Sequence, residues 1–371
     1  MLGMAPEQFL REYWQRQPLL IRQGAPHAAS WLSPGELMQI ARESTCESRL
    51  VTGPENDVYQ VRYGPFQRDE LPPAAGMPWT LLVQDVDKAS RSVGQVLDHF
   101  RFLPAWRIED IMVSLAGDGG SVGPHWDHYD VFLIQGAGRR RWMIDQSRHP
   151  ARDYRPDQEL KILRRFTPDQ QWDLETGDVL YLPPGVPHHG VALGECMTFS
   201  VGMRAPSAGE ILADYFEQAA AALPEEHRLA DPGRPVPTSV GVIDGQTLQS
   251  LAQIITRHAS PDHASLGRWF GRFITRGLTP QSEETAAGKV ADTRNTTLHR
   301  NPWIRFAWFQ DKTGCWLYAN GEEFPASPDA ARMLADHASL ELDQLAQIDA
   351  SDPELVQDML ELGYWSADAY Q

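Results

Sequence analysis

The sequence predicts an α+β protein in which a sandwich or jelly-roll β-barrel is followed by helices and a small winged-helix-like module. Three observations lead to this prediction. Short apolar strands separated by Gly/Pro turns fill residues 108–203, alanine-rich helical sequence begins after Arg204, and a β-hairpin with two helices ends the chain. We therefore divide the 371 residues into a barrel with N-terminal helices (1–205), a helical region (206–276) and a C-terminal module (277–371).

The segment before the barrel is predicted to contain helices and strands. Apolar side chains recur at helical spacing in Pro6–Gln17, and Ser33 followed by Pro34 is a typical helix start. Apolar runs predict strands, and the spacing of apolar residues before Pro104 predicts a further helix. The predicted strands are Pro18–Arg22, Ser48–Thr52, Val58–Tyr63 and Trp79–Val86, and the further helix is Ser90–Phe102.

The predicted barrel consists of short strands joined by glycine-rich turns. Gly117–Gly120 is a flexible loop, Gly136–Gly138 turns the chain, and residues 147–173 form a polar excursion. The expected strands are Ile108–Ala116, a strand opened by His125 and Asp127 and continued by Val131–Ile134, then Arg139–Ile144, Val179–Leu182, Gly190–Leu193 and Met197–Met203.

The region after Arg204 is predicted to be helical and to expose apolar stripes. Leu248, Leu251, Ile254 and Ile255 share one face of a predicted helix. An ordinary helical hairpin packed on the barrel is one interpretation of these stripes, and an interface with a second copy is the other. The predicted helices are Ser207–Leu223, Gln246–His258 and Ser265–Thr275, and residues 279–295 after them are polar.

The C-terminal module is predicted as a hairpin with two helices. The strands Trp303–Phe309 and Cys315–Ala319 would pair, and the helices would be Asp329–Leu340 and Asp352–Leu362. Winged helices often bind DNA through a basic surface, but the two helices and their link carry many carboxylates against the single cation Arg332. We therefore expect no nucleic-acid binding.

Charge and cysteine content limit the classes of protein. The formal net charge is -17, from 33 Lys and Arg against 50 Asp and Glu, which suits a basic protein partner better than a nucleic acid. The 3 cysteines are scattered and predict neither a disulfide framework nor a cysteine-based zinc site. No signal peptide and no membrane-spanning run is evident, so we expect a cytoplasmic protein without membrane contact.

Two stretches predict a metal site. His125 and Asp127 are two residues apart, a spacing that puts both side chains on one face of a strand. His188 or His189 follows the rigid turn Pro183–Gly185 at the end of a later strand. Two imidazoles and one carboxylate on one side of a metal form the facial triad of non-haem Fe(II) oxygenases.

These stretches also carry a resemblance to a known family. The matching segments are Phe9–Trp14, Gln17–Leu20, Gly123–Phe132, Gly138–Trp142, Leu180–His188 and Phe199–Arg204. On these residues the chain resembles the JmjC-type 2-oxoglutarate-dependent oxygenases, and more narrowly the bacterial ribosomal oxygenases. The resemblance covers nearly the whole chain.

The resemblance implies a fold, cofactors, a substrate and an assembly. The barrel would be a double-stranded β-helix of the cupin or JmjC type. Fe(II) and 2-oxoglutarate would be the cofactors, and His188, directly after Pro187, would be the third ligand. The substrate would be an arginine of a basic large-subunit (50S) ribosomal protein, hydroxylated at its β-carbon. Residues 206–276 would form a homodimer interface.

A co-substrate with a free carboxylate needs a cation and a hydroxyl donor. The run Arg139–Arg141 supplies cations, and strand alternation makes Arg140 face opposite to its neighbours, although alternation does not say which face is inside. The resemblance implies that Arg140 lies in the pocket and that Ser114 is the hydroxyl donor.

A guanidinium substrate also needs a carboxylate partner. Asp118, in the glycine loop expected near the metal, is the predicted substrate residue, and a turn-forming aspartate is the alternative. Tyr129 and Asp130 are weaker candidates. His128 is expected to be a surface residue or to lie behind the ligands.

The functional prediction is an Fe(II)- and 2-oxoglutarate-dependent protein arginine 3-hydroxylase. One rival in the same class would hydroxylate a histidine or a small molecule. A rival from another class is a non-catalytic, cupin-like, metal-binding scaffold, which would not need an anchor such as Arg140.

Overall fold

The computed structural model describes residues 1–55, 58–71, 76–146, 153–259, 261–277 and 296–367. The polar stretch predicted at residues 279–295 lies outside these ranges, as does part of the segment 147–173. Among the described residues, no helix has the length and apolar character needed to cross a bilayer.

The N-terminal segment forms short helices and the strands of one sheet edge. Ser33 caps the second helix in a reciprocal capping box with Glu36, an arrangement that stabilises a helix by about 0.5–2 kcal/mol. The elements are α1 (Pro6–Glu12), β1 (Leu19–Ile21), α2 (Pro34–Ile40), β2 (Ser48–Glu55), β3 (Val58–Tyr63), β4 (Trp79–Val83), α3 (Val86–Ala89) and α4 (Arg91–Gly94).

Two predictions for this segment are wrong in their boundaries. The strand predicted to reach Val86 ends at Val83, because Asp85 adopts a left-handed backbone with φ of 56° and starts a helix. The Asp85 N–H then donates to the Asp110 carboxylate at 3.0 Å instead of to a neighbouring strand. The helix predicted at Ser90–Phe102 is broken into α4 and a 3-10 turn over Gln95–Phe100.

The predicted barrel is present as two antiparallel sheets. Besides β1–β4, the strands of the barrel are β5 (Ile108–Ala116), β6 (Val131–Ala137), β7 (Arg139–Ile144), β8 (Gln170–Glu175), β9 (Val179–Leu182), β10 (His188–Ala192) and β11 (Cys196–Met203). The larger sheet has eight strands in the order β1-β9-β6-β11-β5-β4-β2-β3, and the smaller sheet has three in the order β10-β7-β8.

Apolar side chains from both sheets meet between them. Leu133 and Leu180 of the larger sheet pack with Trp142 and Leu174 of the smaller sheet in one buried cluster. Every residue of β11, which lies between β6 and β5, is buried, whereas β7 alternates between buried and more exposed residues. The fold is therefore the predicted double-stranded β-helix, and its interior is where the site lies.

The helical region follows the barrel and leaves two helices without a buried residue. The helices are α5 (Ala208–Ala221), α6 (Gly245–His258) and α7 (His263–Thr275). Neither α5 nor α6 contains a buried residue, whereas α7 buries Trp269 and Ile274. In α7, Gly271 lies against the Tyr318 ring, where an added Cβ would come within 2.4 Å.

The C-terminal module has its own core and more elements than predicted. Leu317, Leu334 and Trp365 belong to a buried cluster separate from that of the barrel. The predicted hairpin is present but begins at Phe306, and the link between the two predicted helices contains a third. The elements are β12 (Leu298–Arg300), β13 (Phe306–Asp311), β14 (Gly314–Ala319), β15 (Glu322–Pro325), α8 (Pro328–Asp336), β16 (Ser339–Leu340), α9 (Leu342–Ser351), α10 (Pro353–Glu361) and β17 (Trp365–Ser366).

Candidate active site

Three predicted residues meet at one end of the barrel interior. His125, Asp127 and His188 each offer a ligand atom, and these atoms lie within 4.8 Å of one another. His188 Nε2 is 3.6 Å from Asp127 Oδ2, and the centroids of the two imidazole rings are 4.3 Å apart. Two imidazoles and a carboxylate at this separation are a suitable donor set for one divalent transition metal.

The backbone brings these residues together in a way the sequence did not predict. His125 and His188 form an isolated antiparallel bridge, with N–H···O distances of 3.0 and 2.7 Å. His125 and Asp127 do not open a strand, because residues 126–130 form a loop before β6 begins at Val131. The Asp127 carbonyl instead accepts the Gly185 N–H at 2.8 Å, which holds the loop against the turn between β9 and β10. The alternation argument for His125 and Asp127 is therefore wrong.

Both imidazoles present the same nitrogen to the centre. His125 Nδ1 lies 2.9 Å from the Gly123 carbonyl and His188 Nδ1 lies 2.9 Å from the Val186 carbonyl. A carbonyl oxygen only accepts, so each Nδ1 carries the proton and each Nε2 keeps its lone pair. Burial and the neighbouring His125 lower the pKa of His188 to about 4, which keeps the ring neutral and able to bind a metal.

His189 is outside this group. Its Nε2 lies 2.9 Å from the Ser121 hydroxyl, and burial lowers the pKa of His189 to about 4. Strand alternation in β10 turns adjacent side chains to opposite sides, and the buried one is His188. The geometry therefore groups His188, not His189, with His125 and Asp127. His128 is exposed and packs edge-on against Trp126.

Arg140 lies in the same cavity as a buried cation, with its guanidinium carbon 5.9 Å from the centroid of the Trp142 ring. It is 5 % exposed, and its Nε and Nη2 atoms find no hydrogen-bond partner among the described residues. Ser114, 3 % exposed, lines the cavity with it. A buried guanidinium without a partner is costly, so a ligand that supplies a carboxylate explains its position.

The flanking arginines point away, as strand alternation requires. Arg141 donates to both oxygens of Asp173 at 2.7 and 2.9 Å on the outer surface, and Arg139 is exposed. Strand alternation shows only that Arg140 faces opposite to its neighbours, not which face of β7 points inward. In the structure, the inner face is the one that carries Arg140 and Trp142.

The cavity of about 980 Å³ extends from the His-Asp-His group to a mouth rich in carboxylates. Asp110 lies on β5, and burial raises its pKa to about 7. Burial also disfavours ionised Glu109, but Arg305 and Arg204 outweigh this and hold the pKa of Glu109 below its usual value. The acidic lining residues are Glu47, Asp85, Glu109, Asp110, Asp127, Glu210, Asp214 and Glu217, against the basic Arg49, Arg140 and Arg204.

Asp110 was not identified from the sequence, although a signal for it existed. Asp110, Met112 and Ser114 are two residues apart on β5, so they share one face of the strand, and all three line the cavity. Since the resemblance implied an inward Ser114, the same alternation applied to β5 would have indicated Asp110.

Asp118 does not line the cavity. It is exposed in the turn after β5, and its carboxylate accepts the Gly194 N–H at 2.7 Å. This position favours the turn-forming alternative over a substrate carboxylate at Asp118. The reason is that the glycine loop turns toward the β10–β11 connection before the chain returns to His125.

The other two weaker candidates differ in position. Tyr129 is 41 % exposed and lines the cavity mouth. Asp130 is 0 % exposed; it accepts the Tyr181 hydroxyl at 2.5 Å and the Gln15 amide at 2.9 Å. Asp130 therefore anchors the loop that carries Asp127 and does not face a ligand.

Comparison with known proteins gives the same architecture. Residues 95–211 match the family described as JmjC domain, residues 255–366 match the ROXA-like winged helix, and residues 166–267 match the AraC-like ligand binding domain. The ribosomal protein uL16 3-hydroxylase of Escherichia coli (strain K12) is 32% identical over 370 residues, covering 96% of each chain. A probable ribosomal oxygenase of Haemophilus influenzae is 36% identical over 212 residues, 56% of this chain and 52% of the relative.

Solved structures agree over the full length. The X-ray structure of E. coli ycfD has a TM-score of 0.84 at 30% identity and covers 98% of each chain. A structure of the same ribosomal oxygenase in complex with cobalt and 2-oxoglutarate has a TM-score of 0.83 at 30% identity, again covering 98% of each chain. The fold and the site make this protein an oxygenase of the JmjC type. Within that class, the chain belongs to the ribosomal oxygenase family.

Proposed function

We propose that this protein is an Fe(II)- and 2-oxoglutarate-dependent hydroxylase that acts on the β-carbon of an arginine in the large-subunit ribosomal protein uL16. One observation carries the cofactor part of the proposal. A His-Asp-His group lines the same cavity as a buried arginine whose Nε and Nη2 have no hydrogen-bond partner in the described part of the chain. The E. coli relative, named for uL16 3-hydroxylation, supports the substrate.

The residues have separate roles in this proposal. His125, Asp127 and His188 would hold the iron through two neutral imidazoles and one carboxylate. Arg140 would pair with the far carboxylate of 2-oxoglutarate, and Ser114 would donate a hydroxyl to it. With O₂, the bound iron and 2-oxoglutarate supply the oxidation that replaces C–H by C–OH and leaves succinate and CO₂.

The mouth of the cavity suits a cationic side chain. Asp110 would accept hydrogen bonds from a guanidinium, and the exposed ring of Tyr129 offers a face on which a planar cation stacks. Gly202 lies between them: a Cβ added there would be 3.5 Å from Asp110 Oδ1 and 3.9 Å from Tyr129 Cε2. The acidic lining favours arginine over a neutral histidine, and buried Arg140 disfavours a non-catalytic scaffold, which has no use for it.

The apolar helices support a homodimer. Along α5 and α6, exposed aliphatic side chains lie on helices without a single buried residue. Full burial of one such side chain contributes about 1.5–3 kcal/mol, which an isolated monomer does not gain. We therefore propose that a second copy of the chain covers these side chains. These side chains are Leu212 (53%), Leu248 (57%), Leu251 (39%), Ile254 (42%) and Ile255 (61%).

The division into barrel (1–205), helical region (206–276) and C-terminal module (277–371) belongs to the same proposal, as does a cytoplasmic location. The acidic helices of the C-terminal module favour contact with a basic protein and disfavour nucleic acid.

Light scattering should report a dimer, and Leu251→Asp with Ile255→Asp should shift it to monomer. A wild-type monomer at micromolar concentration would contradict the dimer proposal without affecting the enzymatic one.

The enzymatic proposal is tested by mass spectrometry of a uL16 peptide. Wild-type protein with Fe(II), 2-oxoglutarate and O₂ should add the mass of one oxygen atom to an arginine. His188→Ala should remove this activity, and His189→Ala should retain part of it, because His189 is outside the ligand group. Equal loss in Arg141→Ala and Arg140→Ala would contradict the assigned role of Arg140.

A further inference from the structure

A chain of hydrogen bonds connects His189 to the ring of His125. His189 Nε2 lies 2.9 Å from the Ser121 hydroxyl, Ser121 Oγ accepts the Gly123 N–H at 3.0 Å, and the Gly123 carbonyl accepts from His125 Nδ1 at 2.9 Å. The contact to His125 is made by Nδ1, which leaves Nε2 to face the proposed metal centre. The chain of hydrogen bonds therefore ends at the nitrogen of His125 that does not bind the metal in the proposed centre.

The path runs through a backbone that needs to be held. Gly123 has a φ of +78°, a conformation that glycine adopts without strain, and residues 121–124 belong to no strand. Ser121 is 3 % exposed, so its hydroxyl cannot exchange a lost partner for bulk water. Fixing the Gly123 N–H also fixes the adjacent peptide units, and with them the carbonyl that His125 contacts.

His189 holds the far end of the path in place. Its ring packs edge-on against Phe166, with centroids 6.0 Å apart at an interplanar angle of 81°. It also follows His188 directly on β10, so the strand that presents one ligand also carries the residue that braces the other. The bridge between His125 and His188 joins the same two segments through the backbone.

We propose that His189 and Ser121 are positioning residues that hold His125 in the orientation and tautomer needed for metal binding. This inference rests on the proposed metal-binding role of His125. It assigns His189 a role other than ligand, and it predicts that a hydroxyl near the centre governs metal affinity without touching the metal. Residues of this kind typically change metal affinity by about 10–100-fold.

The test compares variants of Ser121 in the full-length protein by Co(II) titration. Ser121→Ala should weaken Co(II) binding by about 10–100-fold and change the visible absorption spectrum, which reports ligand geometry. Ser121→Thr keeps the hydroxyl and should restore both. His189→Phe keeps a ring against Phe166 but no nitrogen for Ser121, and it should resemble Ser121→Ala.

Thr275→Val is the matched control. The Thr275 hydroxyl is also buried and also accepts a backbone N–H, from Gly321 at 3.1 Å, but it lies in α7. This variant should lower the melting temperature without changing the Co(II) spectrum. If His189→Phe does not fold, the comparison of Ser121→Ala with Ser121→Thr is sufficient to test the inference.

Wild-type affinity and an unchanged spectrum in Ser121→Ala would overturn the inference. Failure of the wild-type protein to bind Co(II) at all would instead overturn the proposed metal site, so the two failures are distinguishable.

Discussion

Replacement of Arg140 by methionine should have two effects of opposite direction. Methionine is close to arginine in side-chain volume but carries no charge, so it removes the buried cation without opening a large cavity. Arg140 is 5 % exposed, and its Nε and Nη2 lack hydrogen-bond partners among the described residues. Removing an unpaired buried charge should stabilise the ligand-free protein, by analogy with buried ion pairs whose apolar replacement stabilises by about 1–4 kcal/mol.

The same change should weaken 2-oxoglutarate binding. A charge-assisted hydrogen bond contributes about 1.5–3 kcal/mol, which corresponds to roughly a 10–150-fold loss of affinity. Thermal unfolding with Mn(II), which prevents turnover, measures both effects in one assay. Wild-type protein should gain stability as 2-oxoglutarate is added, because the ligand binds the folded state. Arg140→Met should start from a higher melting temperature and gain little.

Arg141→Met is the control on the same strand. The Arg141–Asp173 pair has side chains 39% and 38% exposed, so breaking it should cost about 0–1 kcal/mol. Its melting temperature should fall slightly, and its response to 2-oxoglutarate should match wild type. If Arg140→Met were destabilised like Arg141→Met, or responded fully to 2-oxoglutarate, our interpretation of Arg140 as an anion anchor would be refuted.

Three further variants test the substrate side of the cavity. Because the pKa of Asp110 is about 7 and only the ionised carboxylate pairs with a guanidinium, affinity for an arginine peptide should rise as the pH rises through about 7. Asp110→Asn should weaken peptide binding by about 1.5–3 kcal/mol and remove that pH dependence. If the pH dependence were unchanged in this variant, Asp110 would not be the residue that binds the guanidinium. Gly202→Ala has room for its methyl group at ordinary contact distances, so it should fold normally but raise KM for the peptide, whereas an unchanged KM would mean that the guanidinium lies elsewhere. Asp118→Ala should leave peptide kinetics unchanged and lower stability by about 1 kcal/mol through loss of its bond to Gly194; a large KM effect would return Asp118 to the substrate site.

The barrel was predictable because its signals are local. β7 and β9 match their predicted bounds, Arg139–Ile144 and Val179–Leu182, since apolar alternation and Gly/Pro turns delimit them. The grouping of His125, Asp127 and His188 was also predicted, but for a partly wrong reason, because residues 126–130 form a loop. A bridge between two segments that are distant in sequence brings the histidines together, and no local pattern encodes such a bridge.

Other features could not be predicted because they depend on tertiary contacts. Asp110 lies near the start of β5 and Asp118 follows its end, yet only Asp110 lines the cavity. Alternation cannot distinguish them, because they are an even number of residues apart; Asp118 differs because it lies beyond the strand, in the turn that contacts Gly194. Helix α9, Leu342–Ser351, was missed because half of its residues are polar, and Leu345 and Ile348 become buried only against the rest of the module.

The most direct test of the proposed function is the position of the added oxygen in uL16. Wild-type protein, Fe(II), 2-oxoglutarate and uL16 from the same organism should be combined, and the product sequenced by tandem mass spectrometry. We predict one added oxygen on the β-carbon of an arginine, dependent on 2-oxoglutarate and absent in His125→Ala and His188→Ala. An oxygen added to a histidine instead, or an arginine hydroxylated equally well without 2-oxoglutarate, would contradict the proposed function.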